Sequence, residues 1–254
     1  MSGAVTVERR DAISVVTLVN EKKKNALDPP MLEALCDALA RLPGEGVRAV
    51  VLTGAGDVFS SGYDISALPS TGAAPAANPM GPALAAIAGG PLPVVAALNG
   101  AAIGGGCELA ATCDLRVAHE AVTLMMPPVR LGLVYAPTGL ARFVALCGLS
   151  RTRELFLTAT PVPAVRAREW GLVDHVVPRE QLIATATSLA TDMAKGAPLA
   201  VAGTRRALEL LMPRVDGASL AELAGLMQQA WTSEDASEAR AAFREKRKPE
   251  FKGR

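Results

Sequence analysis

Histidine is nearly absent from this chain: only His119 and His175 occur, 56 positions apart. That separation excludes a histidine-built metal centre, which needs several imidazoles converging on one ion. Cysteine is sparse too, and Cys36, Cys107, Cys113 and Cys147 form no CxxC pair and sit among apolar or small neighbours. The pattern excludes a disulfide framework and a zinc motif; it predicts buried, reduced thiols in a cytoplasmic protein. No excess charge exists, since 26 Lys+Arg stand against 25 Asp+Glu for a formal net charge of +1. A whole-protein electrostatic footprint for nucleic acid is thereby excluded, and only local basic patches remain. Long apolar runs are also missing. The longest low-charge stretch, 71–107, is interrupted by Pro75, Pro79, Pro82, Pro91 and Pro93, which excludes a membrane span. The opening MSGAVTVERRD has no apolar segment resembling a secretory signal. Aromatics make up 4% of the 254 residues, and only two are tyrosine.

What is present is a half-apolar chain, rich in alanine and valine, of a size that hides roughly 75% of its unfolded surface. β-Branched residues recur through Val5–Arg10 and Ala12–Asn20, predicting two strands joined by a turn at 9–11. Asp28 followed by Pro29 and Pro30 reads as an N-cap with proline in the first turn. Met31, Leu32, Leu35, Leu39 and Leu42 continue at helical spacing as far as Pro43-Gly44. Arg48–Thr53, Pro93–Leu98 and Leu115–Ala118 are apolar runs of the kind buried on both faces of a sheet. Strands alternating with helices over 30–120 predict an α/β fold with parallel pairing, residues 72–82 forming an irregular insertion. Beyond Pro137 the chain reads as helical: 139–147, 151–158, 162–170, 179–195, 198–212, 219–231 and 233–248. A composition shift near residue 200 marks the last of these as a helical tail rather than a second catalytic domain.

Two glycine-bearing loops follow predicted inner strands. The first is Gly54-Ala-Gly-Asp-Val-Phe-Ser-Ser-Gly-Tyr-Asp-Ile65; the second is Asn99-Gly-Ala-Ala-Ile-Gly-Gly-Gly-Cys-Glu108. Loops after parallel strands open on one sheet edge, where α/β folds place ligands. A helix beginning at Gly105 or Gly106 would present unsatisfied N–H groups and a partial positive charge there, suited to an oxyanion or a phosphate. Each loop can offer one N–H to a single oxygen, and Glu108 falls in that helix's first turn. The dinucleotide fingerprint fails, because Phe59 stands where its third glycine belongs, which weakens a nicotinamide dehydrogenase reading. Ser60 and Ser61 lack the GxSxG context of a serine hydrolase.

Five segments in order resemble the crotonase (enoyl-CoA hydratase/isomerase) superfamily. They are Lys24-Asn-Ala-Leu27, Phe59-Ser-Ser-Gly-Tyr-Asp-Ile65, Asn99-Gly…Gly-Gly-Gly-Cys-Glu108, Ala167-Arg-Glu-Trp-Gly-Leu-Val173 and Ala242-Phe-Arg-Glu-Lys-Arg-Lys-Pro-Glu-Phe251. The resemblance implies an α/β spiral of ββα units over 1–196 and a C-terminal helical region over 197–254 used in trimerisation. It implies acyl-CoA thioesters as substrates, a homotrimer or hexamer, and no cofactor beyond the coenzyme A of the substrate itself. Metal, nucleic acid and membrane have no place in it. The family's oxyanion hole maps onto the N–H groups of Tyr63 and Gly105. Lys24, Ser61, Gly62, Asp64, Ile65 and Lys246 fall in regions that meet substrate, the two lysine clusters lying where coenzyme A phosphates are expected.

Hydratases of the family resemble one another in carrying two glutamates. The first matches Glu108, but the second position is Pro128, which holds no ionisable group. The segment Met126-Pro-Pro-Val-Arg-Leu-Gly-Leu-Val-Tyr135 instead resembles the methylmalonyl-CoA decarboxylase branch, implying that Tyr135 positions a substrate carboxylate. The expected protein is therefore a lyase acting through a thioester enolate, with decarboxylation of a methylmalonyl-CoA-like substrate favoured. The alternatives are an enoyl-CoA hydratase or isomerase of fatty-acid metabolism and a non-catalytic acyl-CoA-binding protein.

Overall fold

The structure, a computed structural model, describes residues 2–67, 78–213 and 216–254. Strands β1 (Ala4–Arg10) and β2 (Ile13–Val19) pair antiparallel, with Asp11 at φ 54° in the turn. Helix α1 (Pro29–Arg41) starts as its residues dictate: the Asp28 carboxylate accepts the Met31 N–H at 3.0 Å, and Met31, Leu32, Leu35 and Leu39 are buried. A 3-10 turn, Leu42–Glu45, ends it.

Three repeats follow, each made of two strands and a helix. They are β3 (Ala49–Gly54), β4 (Val58–Ser60) and α2 (Gly81–Gly89); β5 (Val94–Leu98), β6 (Ala101–Ile103) and α3 (Gly105–Thr112); and β7 (Leu115–His119), β8 (Thr123–Met125) and α4 (Pro137–Arg153). Their first strands build a six-stranded sheet and their second strands a four-stranded one. After α4 come β9 (Val162–Pro163), α5 (Ala164–Glu169), β10 (His175–Val177), α6 (Leu182–Lys195), α7 (Pro198–Leu210), α8 (Gly217–Thr232) and α9 (Glu234–Glu245). The large sheet has the order β1-β2-β3-β5-β7-β10, parallel from β2 onward; the small one has the order β4-β6-β8-β9.

Alternation along the inner strands divides the core. Val16, Leu18, Val50, Leu52, Val94, Ala96 and Leu98 face α1, α2 and α3, while Ile13, Val15, Val51, Val95, Ala97 and Val117 face Leu182, Ala186 and Ala190 of α6. Both faces are therefore dry. Each valine, leucine or isoleucine among them contributes about 1.5–3 kcal/mol on burial, which explains the continuous apolar runs of β3 and β5.

Several expectations change. Residues 54–62 and 99–104, read as loops, contain β4 and β6, and β8, β9 and β10 were unforeseen. Strands of two or three residues are too short to show a two-residue period. The expected helix 162–170 gives its first two residues to β9, where Leu124 pairs with Val162. Helices 139–147 and 151–158 are joined through Gly148 (φ 75°, ψ 164°), and the second closes in a π-turn, Glu154–Thr158. Residues 179–181 form a 3-10 turn ahead of α6, and α9 stops at Glu245 because Lys246 adopts φ 55°. Of the four free cysteines, Cys107 and Cys113 are buried but Cys36 and Cys147 only half-buried. Most of the irregular insertion expected at 72–82 lies outside the described residues. Among the described residues, no helix is long and apolar enough to cross a membrane.

Candidate active site

Two asparagines hold the site loops together. Asn25 is buried at φ 53°; its amide group donates to the carbonyls of Ala55 (2.8 Å) and Val58 (2.7 Å), and its side-chain oxygen accepts the Asn20 N–H (2.9 Å). Ser60 Oγ donates to the Asn25 carbonyl at 2.8 Å. Asn99 accepts the Gly54 N–H at 3.1 Å and donates to the Gly56 carbonyl at 2.8 Å. One loop is thus clamped from both sides. Sequence reasoning assigned these asparagines no role because neither ionises; the Asn99-Gly100 pair after an apolar strand was the available signal.

The clamp brings the two predicted amides together. Tyr63 bridges to Leu27, flanked by Leu27 N–H to Gly62 carbonyl (2.8 Å) and Asp64 N–H to Leu27 carbonyl (2.9 Å). Helix α3 begins at Gly105, beside it. A Cβ at Gly105 would lie 3.1 Å from the Tyr63 nitrogen and would displace the Met80 sulfur, so glycine lets the two backbones approach this closely. Among the described residues neither N–H, Tyr63 nor Gly105, has a protein acceptor. Two free donors at the uncapped start of a helix suit an oxygen that gains negative charge.

Glu108, 2% exposed, lies one turn into α3. Tyr135, in the segment leading into α4, donates its hydroxyl to Glu108 Oε2 at 2.6 Å, a charge-assisted distance when the carboxylate is ionised. Gly139 closes the pair from α4: a Cβ there would lie 2.5 Å from Glu108 Oε1 and 2.7 Å from the Tyr135 ring. Phe156 stacks edge-on against Tyr135, with ring centroids 5.4 Å apart. Burial raises the Glu108 pKa above the ordinary carboxylate value, opposed by the Tyr135 hydrogen bond and the Arg142 charge. Burial, and then the Glu108 charge, push the Tyr135 phenol well above its usual value. The two groups are hydrogen-bonded to each other and shielded from water.

Pro128 is buried in the 3-10 turn Pro128–Leu131, against which α9 packs. The remaining predicted residues frame the loop. Ser61 donates its N–H to the Lys24 carbonyl (2.9 Å) and its hydroxyl to the Lys23 carbonyl (3.0 Å). Asp64 pairs with Lys23 at 2.7 Å and caps the 3-10 turn Ile65–Ala67 through Ser66; burial lifts its pKa, but these bonds leave it below the ordinary value. Lys24 is exposed at φ 54°, and Lys246 is exposed at the end of α9. No hydrogen bond or ion pair among the described residues joins Lys246 to the site loops. Arg130 is exposed, and His119 ends β7 with Nε2 3.2 Å from the Asn99 carbonyl.

Repeated ββα units that feed two sheets, with paired glycine loops at one edge, define the crotonase fold. The chain belongs to the enoyl-CoA hydratase/isomerase family, whose model matches residues 8–254. It is 32% identical over 250 residues to the 2,3-dehydroadipyl-CoA hydratase of Escherichia coli, covering 98% of each chain. It is 31% identical over 255 residues to the methylmalonyl-CoA decarboxylase of the same organism, again with 98% of each covered. A solved methylmalonyl-CoA decarboxylase in complex with 2-nitronate-propionyl-CoA superimposes with a TM-score of 0.95 at 31% identity, over 99% of each chain.

Proposed function

We propose that the protein is a lyase that decarboxylates a methylmalonyl-CoA-like thioester. The observation that carries this reading is the Tyr135–Glu108 hydrogen bond at 2.6 Å; supporting it, the position that matches the second glutamate of the family's hydratases is the buried Pro128. Decarboxylation needs no base to start it. The bond from the α-carbon to the carboxylate breaks, CO2 leaves, and the electron pair moves into the thioester as an enolate. The Tyr63 and Gly105 N–H groups receive the enolate oxygen, each worth about 3–4 kcal/mol in the transition state. Tyr135 then gives its proton to the α-carbon and takes one from protonated Glu108, which water restores. The raised Glu108 pKa supports its serving as that proton store.

Lys24 and Lys246 would meet the coenzyme A phosphates, and Ser61, Gly62, Asp64 and Ile65 would wall the acyl entrance. Residues 1–196 would then form the catalytic spiral. The region 197–254 would assemble a homotrimer or hexamer, for which exposed Leu199, Leu208 and Leu211 supply apolar surface. The enzyme would be cytoplasmic and would need no cofactor beyond the substrate's coenzyme A.

A second reading, hydration of an enoyl-CoA, is favoured by the relatives named as hydratases at equal identity. The two separate cleanly when methylmalonyl-CoA and crotonyl-CoA are each incubated with the enzyme and the products weighed. Loss of CO2 from the first is expected. Rapid gain of water by the second, with the first untouched, would replace decarboxylation with hydration.

A further inference from the structure

Helices α3 and α4 run side by side behind the site. Gly139 on α4 touches Glu108 on α3; one turn further along, Arg142 and Thr112 both line a cavity of about 260 Å³. Arg142 therefore stands one turn behind the buried carboxylate. Its guanidinium, 18% exposed, grips Glu209 of α7 through two bonds, Nη2 to Oε1 at 3.0 Å and Nη1 to Oε2 at 3.5 Å. The other charges of that cavity are paired locally: Arg205 with Asp114 and Arg116 with Asp174, each at 2.8 Å.

We propose that Arg142, pinned by Glu209, is a positioning residue whose charge acts on Glu108 from behind α3. Among the described residues its hydrogen bonds go to Glu209 and none joins it to the paired amides or to Tyr135, so it acts through space. The titratable groups facing Glu108 are Tyr135 from the segment before α4, Arg142 from α4 and Cys107 beside it on α3. Burial dominates and favours the neutral carboxyl; the Tyr135 hydrogen bond and Arg142 oppose it, and Arg142 alone does so as a charge. Glu209, the counter-charge paired with Arg142, offsets part of that field. The C-terminal helix α7 thereby reaches the reaction centre electrostatically.

Two substitutions should act with opposite signs. Removing the cation in Arg142→Leu should raise the Glu108 titration midpoint. Removing its counter-charge in Glu209→Gln should lower it. The expected shift is about one pH unit for the first, equivalent to about 1.4 kcal/mol of charge–charge interaction, and less for the second. Arg142→Lys should restore most of the wild-type midpoint. The readout is the ¹³C carboxyl resonance that disappears in Glu108→Gln, followed against pH in the folded protein, alongside the pH profile of kcat/KM for methylmalonyl-CoA. Midpoints that stay put, or that move the same way in both variants, overturn the inference. Should Arg142→Leu not fold, Glu209→Gln and Arg142→Lys still decide it. The kinetic arm rests on the decarboxylase reading. Resonance shifts without matching kinetic shifts would refute the role given to Glu108 in that reading and leave this inference standing.

Discussion

Tyr135→Phe removes one oxygen and little else, so its consequences follow closely from the geometry. The ring keeps its edge-on contact with Phe156, but the 2.6 Å bond to Glu108 is lost and the carboxyl, 2% exposed, has no other side-chain donor among the described residues. Its pKa, already raised by burial, rises further. A carboxyl whose folded pKa lies above its unfolded one favours folding fully below the unfolded pKa. That contribution disappears as pH rises through the folded pKa. Raising the folded value further therefore widens the window in which ionising Glu108 opposes folding. At a pH acidic enough to keep Glu108 neutral the variant should lose only a neutral hydrogen bond, about 0.5–1.5 kcal/mol, whereas at a pH alkaline enough to ionise it the variant should lose one to a charge, about 1.5–3 kcal/mol. Urea denaturation of both proteins at the two pH values reads the difference directly. An equal loss at both would mean that the bond does not sense the charge of Glu108, and the proton-store reasoning would fail. Turnover of methylmalonyl-CoA should fall about 10²–10⁴-fold, the usual worth of a positioned proton donor; full activity in the variant would remove Tyr135 from the mechanism.

Gly139→Ala places a methyl 2.5 Å from Glu108 Oε1 and should cost about 1–3 kcal/mol in thermal unfolding while parting the Tyr135–Glu108 pair, seen as lost turnover with substrate KM little changed. Asn25→Ala deletes three hydrogen bonds at φ 53° and should destabilise the protein by about 3–4 kcal/mol in urea unfolding. If Lys246 meets the coenzyme A phosphates, Lys246→Glu should raise KM for acyl-CoA by about 2–5-fold at low salt, an effect that high salt erases.

The large sheet, apart from its three-residue edge strand β10, was legible because β3 and β5 are buried on both faces and so carry unbroken apolar runs, and α1 because Asp28, two prolines and a leucine stripe agree with one another. The small sheet was not, since β4, β6 and β8 have three residues each and are held by pairing with strands far away in sequence. At the site, Gly105 as a helix start and Glu108 in its first turn follow from the glycine run. The Glu108–Tyr135 bond does not, because it spans 27 residues across two repeats. Asn25, Asn99 and Arg142 were missed for a related reason: their work lies in what they touch after folding.

The repeat geometry has a consequence for how such a site can change. Tyr63 follows β4 by three residues and Gly105 follows β6 by two, and β4 and β6 are parallel neighbours. The gauge between the two amides is thus inherited from the pitch of a parallel sheet, about 4.8 Å from strand to strand. No side-chain replacement resets that calliper. On the proposed reading it grips one kind of oxygen at one width, and evolution is left to vary the surroundings. Relatives of like identity are named for a hydratase and for a decarboxylase, a change of reaction for which a fixed pair of jaws would suffice.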